Sequence, residues 1–266
     1  MEGAVTALLC RTSDRSTGTA EGARALAEAI AERLGVGPRY VGAPGEPADT
    51  HWQDDLRENR GCILEAGGQL EDALEAGRFP VLTASDCTIC ITTLPVLARL
   101  RPDAWVLWLD AHGDFNDAET SPSGFLGGMC LSAACGVWED GLTEEPRWDP
   151  ARVVMCGVRD VDPGERVLLT TSGVGLVERP SELSTLLAGR DVFVHLDLDV
   201  LDPAAMPGLH WPVEDGMSDG GLRTLLAEVG SVANVIGVEI TNLPQASLAR
   251  RVATIAEPLM PIPEDS

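Results

Sequence analysis

Two short acidic clusters, each placed directly after an apolar run, constrain the fold of this chain more than any other feature. Asp110-Ala-His112-Gly-Asp114 follows AWVLWL, and Asp197-Leu-Asp199 follows DVFVHL. Both apolar runs are typical of buried strands, and alternate residues of a strand point the same way. Solvated carboxylates at strand ends are the alternative, but they are typical of one aspartate rather than of two such clusters. Because packed carboxylates repel each other, the pattern predicts bound cations.

Apolar strand-like runs alternate with helix-like segments along the whole chain. The segment VTALLC has the pattern of a first strand, residues 54–77 that of a helix, and residues 244–259 that of a last helix. This alternation predicts an α/β fold in one domain over residues 1–266, with a parallel sheet covered on both faces. Ligands of such sheets bind outside the carboxyl ends of the strands. Further polar groups are expected at that edge: Asp86, Cys87, Arg159, Asp160, Asp162 and Glu239.

The charge of the chain excludes several classes of partner. The formal net charge is -23, which argues against nucleic acid and anionic membranes as ligands. No basic, apolar leader opens the chain, and no apolar run is long enough to span a membrane, so a cytoplasmic protein with a small-molecule ligand is expected. All 19 basic residues are arginines, which excludes a catalytic lysine.

The seven cysteines are an odd number without a secretion signal, which favours reduced thiols. Cys87 and Cys90 have the spacing of a redox motif. Taken alone, this spacing is more typical of two unrelated buried cysteines.

Several segments together resemble the arginase/ureohydrolase superfamily, from about residue 80 to residue 245. They are DAHGDFND, SGFLGGM, GVRDVDPGE, DLDVLDP and GVEITN. The resemblance implies a three-layer α/β/α fold with a mainly parallel sheet, two Mn²⁺ ions, and hydrolysis of a guanidino group to a urea and an amine. Oxygen-rich ligands with a few imidazoles suit Mn²⁺.

Residue by residue, the resemblance implies a set of metal ligands. Two aspartates of the set, Asp110 and Asp197, would bridge the ions, Asp114 would complete the first ion's sphere, and His112 with Asp199 the second's. The full set is Cys87, Asp110, His112, Asp114, Asp197 and Asp199. Two residues have implied catalytic roles: Asp114 would move a proton to the leaving amine, and Glu239 would orient the guanidino group.

The resemblance also implies a site for a whole amino acid. Asn116, Ser121 and Ser123 match the loop that holds the α-carboxylate in arginases. Asp162 matches the residue that pairs with the α-amino group, and Glu165 is expected to support it.

Three positions depart from the arginase pattern. Cys87 stands where the first ion's histidine belongs, Gly127 replaces the histidine that shuttles protons, and Trp211 replaces a threonine near the guanidino end. The adjacent His210 is either a substitute acid/base or a surface residue. A cysteine ligand without the shuttle histidine resembles the family branch that hydrolyses Nω-hydroxy-L-arginine to hydroxyurea and L-ornithine in D-cycloserine biosynthesis, an antibiotic pathway.

Two other functions compete with this hydroxyarginine hydrolase. One is an ordinary arginase or another guanidino-acid hydrolase, and the other is a non-catalytic binding protein on the same fold. Decay of a catalytic site should have removed carboxylates, which are unfavourable to keep together, and they are present. The chain ends soon after its last predicted helix, where arginases continue into a trimer-forming tail, so a monomer is expected.

Overall fold

An eight-stranded sheet forms the centre of the protein in the computed structural model, which describes residues 1–262. Residues 263–266 lie outside this range. They are the last residues of the predicted domain and of the C-terminal segment from which a monomer was expected. The strands are β1 (Gly3–Leu8), β2 (Arg39–Val41), β3 (Phe79–Thr83), β4 (Trp105–Leu109), β5 (Val153–Cys156), β6 (Gly175–Val177), β7 (Asp191–Asp197) and β8 (Asn234–Thr241). They run in the order β2-β1-β3-β8-β7-β4-β5-β6, and every neighbouring pair is parallel. The predicted α/β fold with a mainly parallel sheet is confirmed.

Helices cover both faces of the sheet and complete the three layers. They are α1 (Thr19–Leu34), α2 (Trp52–Glu58), α3 (Arg60–Glu75), α4 (Cys90–Leu100), α5 (Cys130–Ala134), α6 (Pro163–Ser172), α7 (Leu183–Leu186), α8 (Asp219–Val232) and α9 (Ala249–Ala256). Apolar residues of α1, α7, α8 and α9 belong to one buried cluster, and those of α2 to α6 to the other. Within residues 1–262, no helix combines the length and apolarity needed to cross a membrane.

The alternation of side chains along the inner strands explains why two separate cores form. In β4, Leu107 and Leu109 pack into the first cluster, whereas Val106 and Trp108 pack into the second. All four are fully buried. A strand with apolar residues on both sides must be covered on both faces, which is the pattern of parallel sheets.

Three elements differ from their predicted extents. The helix expected over residues 54–77 is two helices, α2 and α3, which meet at Asn59. The backbone dihedrals of Asn59, φ −105° and ψ 9°, are not helical, which separates the two helices although its N–H still donates to the carbonyl of Asp55 at 2.9 Å. The short edge strand β2 carries little apolar surface and was not predicted. The last helix spans only Ala249–Ala256, with 3-10 turns on both sides.

The cysteines correct one expectation. Cys10 and Cys62 form a disulfide, whereas reduced thiols were expected throughout. The other five are free, including Cys87 and Cys90, which are both buried and not joined to each other.

Candidate active site

A cavity of about 210 Å³ opens at the carboxyl ends of the central strands β3, β8, β7, β4 and β5. It brings together most of the residues that the sequence singled out. The predicted residues that line it are Asp86, Cys87, Asp110, His112, Asp114, Asn116, Ser123, Asp160, Asp162, Glu165, Asp197, Asp199 and Trp211. Three predicted residues, Ser121, Arg159 and Glu239, are not part of its lining.

One group of ligand atoms surrounds the imidazole of His112. Asp110 directly follows β4, and Asp199 lies in the 3-10 turn after β7. His112 Nδ1 lies 2.9 Å from Asp199 Oδ2 and 3.4 Å from Asp110 Oδ1. The backbone N–H of Ala111 donates to Asp199 Oδ1 at 3.0 Å, which fixes that carboxylate across the two strand ends. Donor atoms of the three side chains lie within 4.8 Å of one another, close enough for one ion.

A second group surrounds the thiol of Cys87. This residue begins a 3-10 turn after β3, and the turn is capped by Asp86, whose Oδ1 accepts the N–H of Thr88 at 2.8 Å. Cys87 Sγ lies 2.8 Å from Asp197 Oδ2 and 3.8 Å from Asp110 Oδ2. Cys87 is only 3% exposed, so its sulfur faces the carboxylates rather than solvent.

The two groups share Asp110, and their donor atoms fit a pair of divalent cations. Carboxylate oxygens and an imidazole nitrogen suit Mn²⁺, whereas a thiolate is softer and favours zinc or iron. Asp110 Oδ1 faces the His112 side, and Asp110 Oδ2 faces the Cys87 side. This division of its two oxygens is what a carboxylate that bridges two ions requires.

The electrostatics of the cluster show why cations would be favourable. Burial, followed by repulsion from a neighbouring carboxylate, raises the pKa of both Asp197 and Asp199 to about 6. Burial and repulsion from Asp197 raise the pKa of the Cys87 thiol well above its usual range. Burial lowers the pKa of His112, but its hydrogen bonds to Asp110 and Asp199 outweigh burial and raise that pKa to about 12. A bound dication reverses this balance by stabilising the anionic forms.

Asp114 occupies a strained backbone position at the wall of the cavity. Its φ of 49° is in the left-handed region, which a non-glycine residue adopts at a cost. Its carbonyl accepts the N–H of Leu131 at 3.0 Å, a bond that stabilises this conformation. Burial and repulsion from Asp110 raise the pKa of the Asp114 carboxyl well above its usual range. Because Asp114 lines the cavity, its carboxylate is placed to accept and release a proton there.

The part of the site that is predicted to bind the α-amino and α-carboxylate groups of the substrate lies around the start of α6. Asp162 caps this helix, and its N–H donates to Glu165 Oε2 at 3.1 Å in a capping box. Glu165 Oε1 accepts the N–H of Phe115 at 2.8 Å and thereby ties the loop after β4 to the helix. Gly113 permits this approach, because a Cβ at that position would lie 2.5 Å from Glu165 Oε1. Glu165 thus supports Asp162, as expected.

Asn116 and the two serines of the loop have different surroundings. Asn116 Nδ2 donates to Asp162 Oδ2 at 3.1 Å, and its Oδ1 is buried with no hydrogen-bond partner among the described residues. Ser123 is exposed at the cavity edge. The Ser121 hydroxyl accepts the N–H of Gly124 at 3.1 Å and so stabilises a turn, and Ser121 does not line the cavity.

Glu239 is also outside the lining of the cavity. Its side chain is fully buried inside the sheet, with Oε1 2.7 Å from His195 Nδ1 and Oε2 accepting the hydroxyl of Thr93 at 2.8 Å. Strand β8 continues to Thr241, so Glu239 lies before the strand end rather than beyond it. Asn242, which the sequence interpretation missed, follows the strand, lines the cavity and donates to Asp197 Oδ2.

An aromatic pair forms the mouth of the cavity. The Phe125 ring lies next to Gly127, where an added Cβ would come within 2.5 Å of the ring. Trp211 contacts Phe125 with ring centroids 5.8 Å apart, and the Arg15 guanidinium lies 4.8 Å from the Phe125 centroid. Phe125 was not predicted, because nothing in a loop sequence shows where its ring packs. His210 is exposed and packs edge-on against Trp211 without lining the cavity, which favours a surface residue over an acid/base.

The sequence profile of the Arginase family matches residues 5–256. The chain belongs to the arginase family. It is 38% identical over 238 residues to an N(omega)-hydroxy-L-arginine amidinohydrolase of Streptomyces lavendulae, with 88% of this chain and 85% of that protein covered. It is 34% identical over 241 residues to an arginase of Bacillus caldovelox, with 81% and 80% covered. The crystal structure of an arginase from Bacillus subtilis superposes with a TM-score of 0.85 at 25% identity, with 98% and 99% of the two chains covered.

Membership of the arginase family and the donor clusters together define the class of reaction. The chain is a metal-dependent amidinohydrolase that acts on guanidino groups. Its relatives include both arginases and a hydroxyarginine amidinohydrolase, so the choice between these substrates depends on the cavity itself.

Proposed function

We propose that this arginase-family chain is a dimanganese enzyme that hydrolyses Nω-hydroxy-L-arginine to hydroxyurea and L-ornithine, in a pathway of the D-cycloserine type. One observation carries the proposal: the cavity wall at Gly127 offers a phenyl ring from Phe125 where an ionisable side chain would be expected for L-arginine hydrolysis. The similarity to the Streptomyces lavendulae amidinohydrolase supports the same substrate.

The chemistry of the two substrates explains why a wall without an acid/base group matters. L-arginine stays cationic because its guanidinium has a pKa above about 12. N-hydroxylation withdraws electrons, lowers the basicity of the guanidine and makes a neutral, more electrophilic form accessible. A correctly placed acid/base group contributes roughly 10²–10⁴-fold to rate, and the hydroxylated substrate needs less of this help.

In the proposed mechanism, the ions are held by the two donor groups around His112 and Cys87. When bound, they supply the activation of water that hydrolysis at neutral pH requires. Asp114 takes the proton of the attacking water and passes it to the δ-nitrogen of the substrate as the bond between the guanidino carbon and that nitrogen breaks. Asn242, whose amide already donates to Asp197, has its carbonyl oxygen available to accept a guanidino N–H in place of Glu239.

The amino-acid end of the substrate is assigned to the start of α6. Asp162 lines the cavity, its carboxylate is an acceptor suited to an α-ammonium group, and Asn116 Nδ2 fixes that carboxylate by donating to its Oδ2. Ser123 at the cavity edge is the hydroxyl available for the α-carboxylate. This arrangement favours a whole amino acid over a decarboxylated amine. Cytoplasmic location, a monomeric state and the lack of nucleic-acid or membrane partners stay predictions.

A steady-state comparison of three substrates tests the proposal. The manganese-loaded protein should have a kcat/KM for Nω-hydroxy-L-arginine at least about 100-fold above that for L-arginine, the lower end of what a missing acid/base group removes. Agmatine, which lacks the α-carboxylate, serves as the control for the amino-acid end and should react poorly. A preference for L-arginine would replace the proposal with an ordinary arginase. No turnover of any guanidino compound would favour the binding protein.

A further inference from the structure

His195 is a fully buried histidine that the sequence interpretation did not single out. It lies on β7, two residues before Asp197, and its cross-strand neighbours are Trp108 on β4 and Glu239 on β8. The imidazole stacks on the Trp108 indole with centroids 3.5 Å apart and planes within 3°. The row of side chains therefore holds the ring in one plane, directly behind Cys87.

The two ring nitrogens of His195 have different partners. Nδ1 lies 2.7 Å from Glu239 Oε1, and Nε2 lies 3.2 Å from Cys87 Sγ. The carboxylate accepts, so Nδ1 carries the proton, and in a neutral imidazole Nε2 then presents a lone pair. Metal-binding histidines are oriented in this way, with the distal nitrogen on the ion and the other N–H donated to a carboxylate.

The distances around Cys87 fit common coordination. With the bond lengths of zinc, about 2.3 Å to sulfur and about 2.0–2.1 Å to nitrogen, two ligand atoms of one ion lie about 3.1 Å apart at a right angle and about 3.6 Å apart at a tetrahedral angle. The observed separation of Cys87 Sγ and His195 Nε2 is 3.2 Å. Donor atoms of Cys87, Asp110 and His195 also lie within 4.8 Å of one another.

We propose that His195 is a direct ligand of the ion held by Cys87 and Asp110, and that Glu239 orients it. The imidazole nitrogen that is missing at position 87 would then reach this ion from strand β7 instead. Each of the two ions gains one nitrogen ligand, from His112 on one side and from His195 on the other. The added imidazole also makes the sulfur-containing half of the site more similar to its oxygen-rich partner, which helps it to retain Mn²⁺.

This proposal gives Glu239 a different role from the one inferred from the sequence. Glu239 does not touch the cavity, so it is a positioning residue that acts through His195. Thr93 fixes the second oxygen of the same carboxylate. Two hydrogen bonds, from Thr93 to Glu239 and between Glu239 and His195, therefore connect α4 to the proposed ligand of the ion.

Diffraction from crystals of the manganese-loaded full chain tests the proposal directly. Anomalous scattering locates each ion, and the expected His195 Nε2–metal distance is about 2 Å. A distance above about 3 Å, with Nε2 hydrogen bonded to the Cys87 sulfur instead, would overturn it. The readout is a bond length and needs no variant, so it is independent of folding effects and of which guanidino substrate the protein prefers.

Pulsed electron paramagnetic resonance of manganese-loaded protein with ¹⁵N-labelled histidine provides the solution measurement. The chain has four histidines, and two of them, His112 and His195, lie in the metal groups. A nitrogen of each of these two histidines should show direct coupling to manganese. His195→Gln should lose one of the two couplings. His210→Gln, a change at an exposed residue outside the metal groups, should keep both. An unchanged coupling pattern in His195→Gln would refute ligation.

Discussion

The floor and the rim of the cavity differ in how they are built. The floor consists of Cys87, Asp110, His112, Asp114, Asp197 and Asp199, and the rim consists of Ser123, Phe125, Gly127 and Trp211. In the floor, Asp110 is 1% exposed and its Oδ1 accepts the backbone N–H of His112, whereas in the rim Trp211 is 41% exposed and is held by ring contacts. The floor is part of the sheet, but the rim is a set of loop side chains that pack on one another.

This difference divides the chemistry between the two regions. The floor carries the charge that any guanidino hydrolysis by this protein needs, so it should affect all substrates equally. In the proposed binding mode, Phe125, Gly127 and Trp211 of the rim would face the guanidino end of the substrate, where Nω-hydroxy-L-arginine and L-arginine differ. Changes to the floor should therefore abolish activity without changing selectivity, and changes to the rim should change selectivity while activity persists.

The largest effect is expected from removing a charge at the centre of the floor. Asp110→Asn removes the carboxylate shared by both donor groups. Residues that only support metal ligands cost about 10–100-fold when changed, so a shared ligand should cost more than about 100-fold in kcat/KM. The loss should be equal for Nω-hydroxy-L-arginine and L-arginine, and metal analysis should find fewer than two ions per chain.

The matched control for this variant is Asp103→Asn. The Asp103 side chain is 97% exposed and pairs with Arg152 on the surface, so its removal should leave both metal content and turnover unchanged. Two ions per chain and normal turnover in Asp110→Asn would contradict the assignment of Asp110 as a bridge.

The floor was predictable because its pattern is local. An acidic residue directly after an apolar strand, with a second ligand two residues on, is visible in the sequence, and parallel strands bring such ends together. Asp110 and Asp197 follow this rule. Glu239 was misplaced because the sequence does not show that β8 continues past it to Thr241. Asn242, the residue that does follow the strand, was therefore overlooked.

Two other features of the site, His195 and Phe125, could be recognised only from the tertiary structure. His195 lies inside the apolar run DVFVHL, and the only signal for it was a polar residue on the same side of the strand as Asp197. Its partners Glu239 and Cys87 are 44 and 108 residues away in sequence, so only the strand order brings them together. Phe125 was missed because a loop sequence does not show that its ring packs next to position 127.

A smaller effect, on selectivity, is expected at the rim. Gly127→His alone should lower activity on both substrates, because its Cβ would lie 2.5 Å from the Phe125 ring. Phe125→Leu together with Gly127→His removes this clash and supplies an imidazole. The double variant should shift the ratio of kcat/KM towards L-arginine by up to about 100-fold, the lower end of the benefit from a well-placed acid/base group.

Phe125→Leu alone is the control for this experiment, since it opens the same space without adding an imidazole. It should shift the ratio of kcat/KM towards L-arginine less than the double variant does. If the double variant keeps the wild-type ratio while it folds and binds metal normally, the rim does not determine substrate choice, and the division between floor and rim fails.

The smallest effect is a change in the sign of the pH dependence of stability. In the metal-free protein the pKa of Asp197 and of Asp199 is about 6, above the ordinary value of 3.8. Each carboxyl holds its proton more tightly when folded, so its contribution to stability is fully present below pH about 4 and is lost as pH rises through about 6. The metal-free protein should therefore show a Tm that falls by a few degrees over this range. Metal ions bind the deprotonated carboxylates, so manganese-loaded protein should instead become more stable as pH rises.

Thermal unfolding at several pH values between 4 and 7, with a chelator or with excess Mn²⁺, measures both slopes. Asp199→Asn should flatten the slope of the metal-free protein, because it removes one of the buried carboxyls whose pKa is raised to about 6. Asp103→Asn again serves as the control, since an exposed carboxyl should not change the slope. Parallel slopes with and without metal would mean that the floor does not exchange protons for cations. The electrostatic reason for assigning a metal centre to these carboxylates would then be lost, because their repulsion would have to be relieved by protons alone.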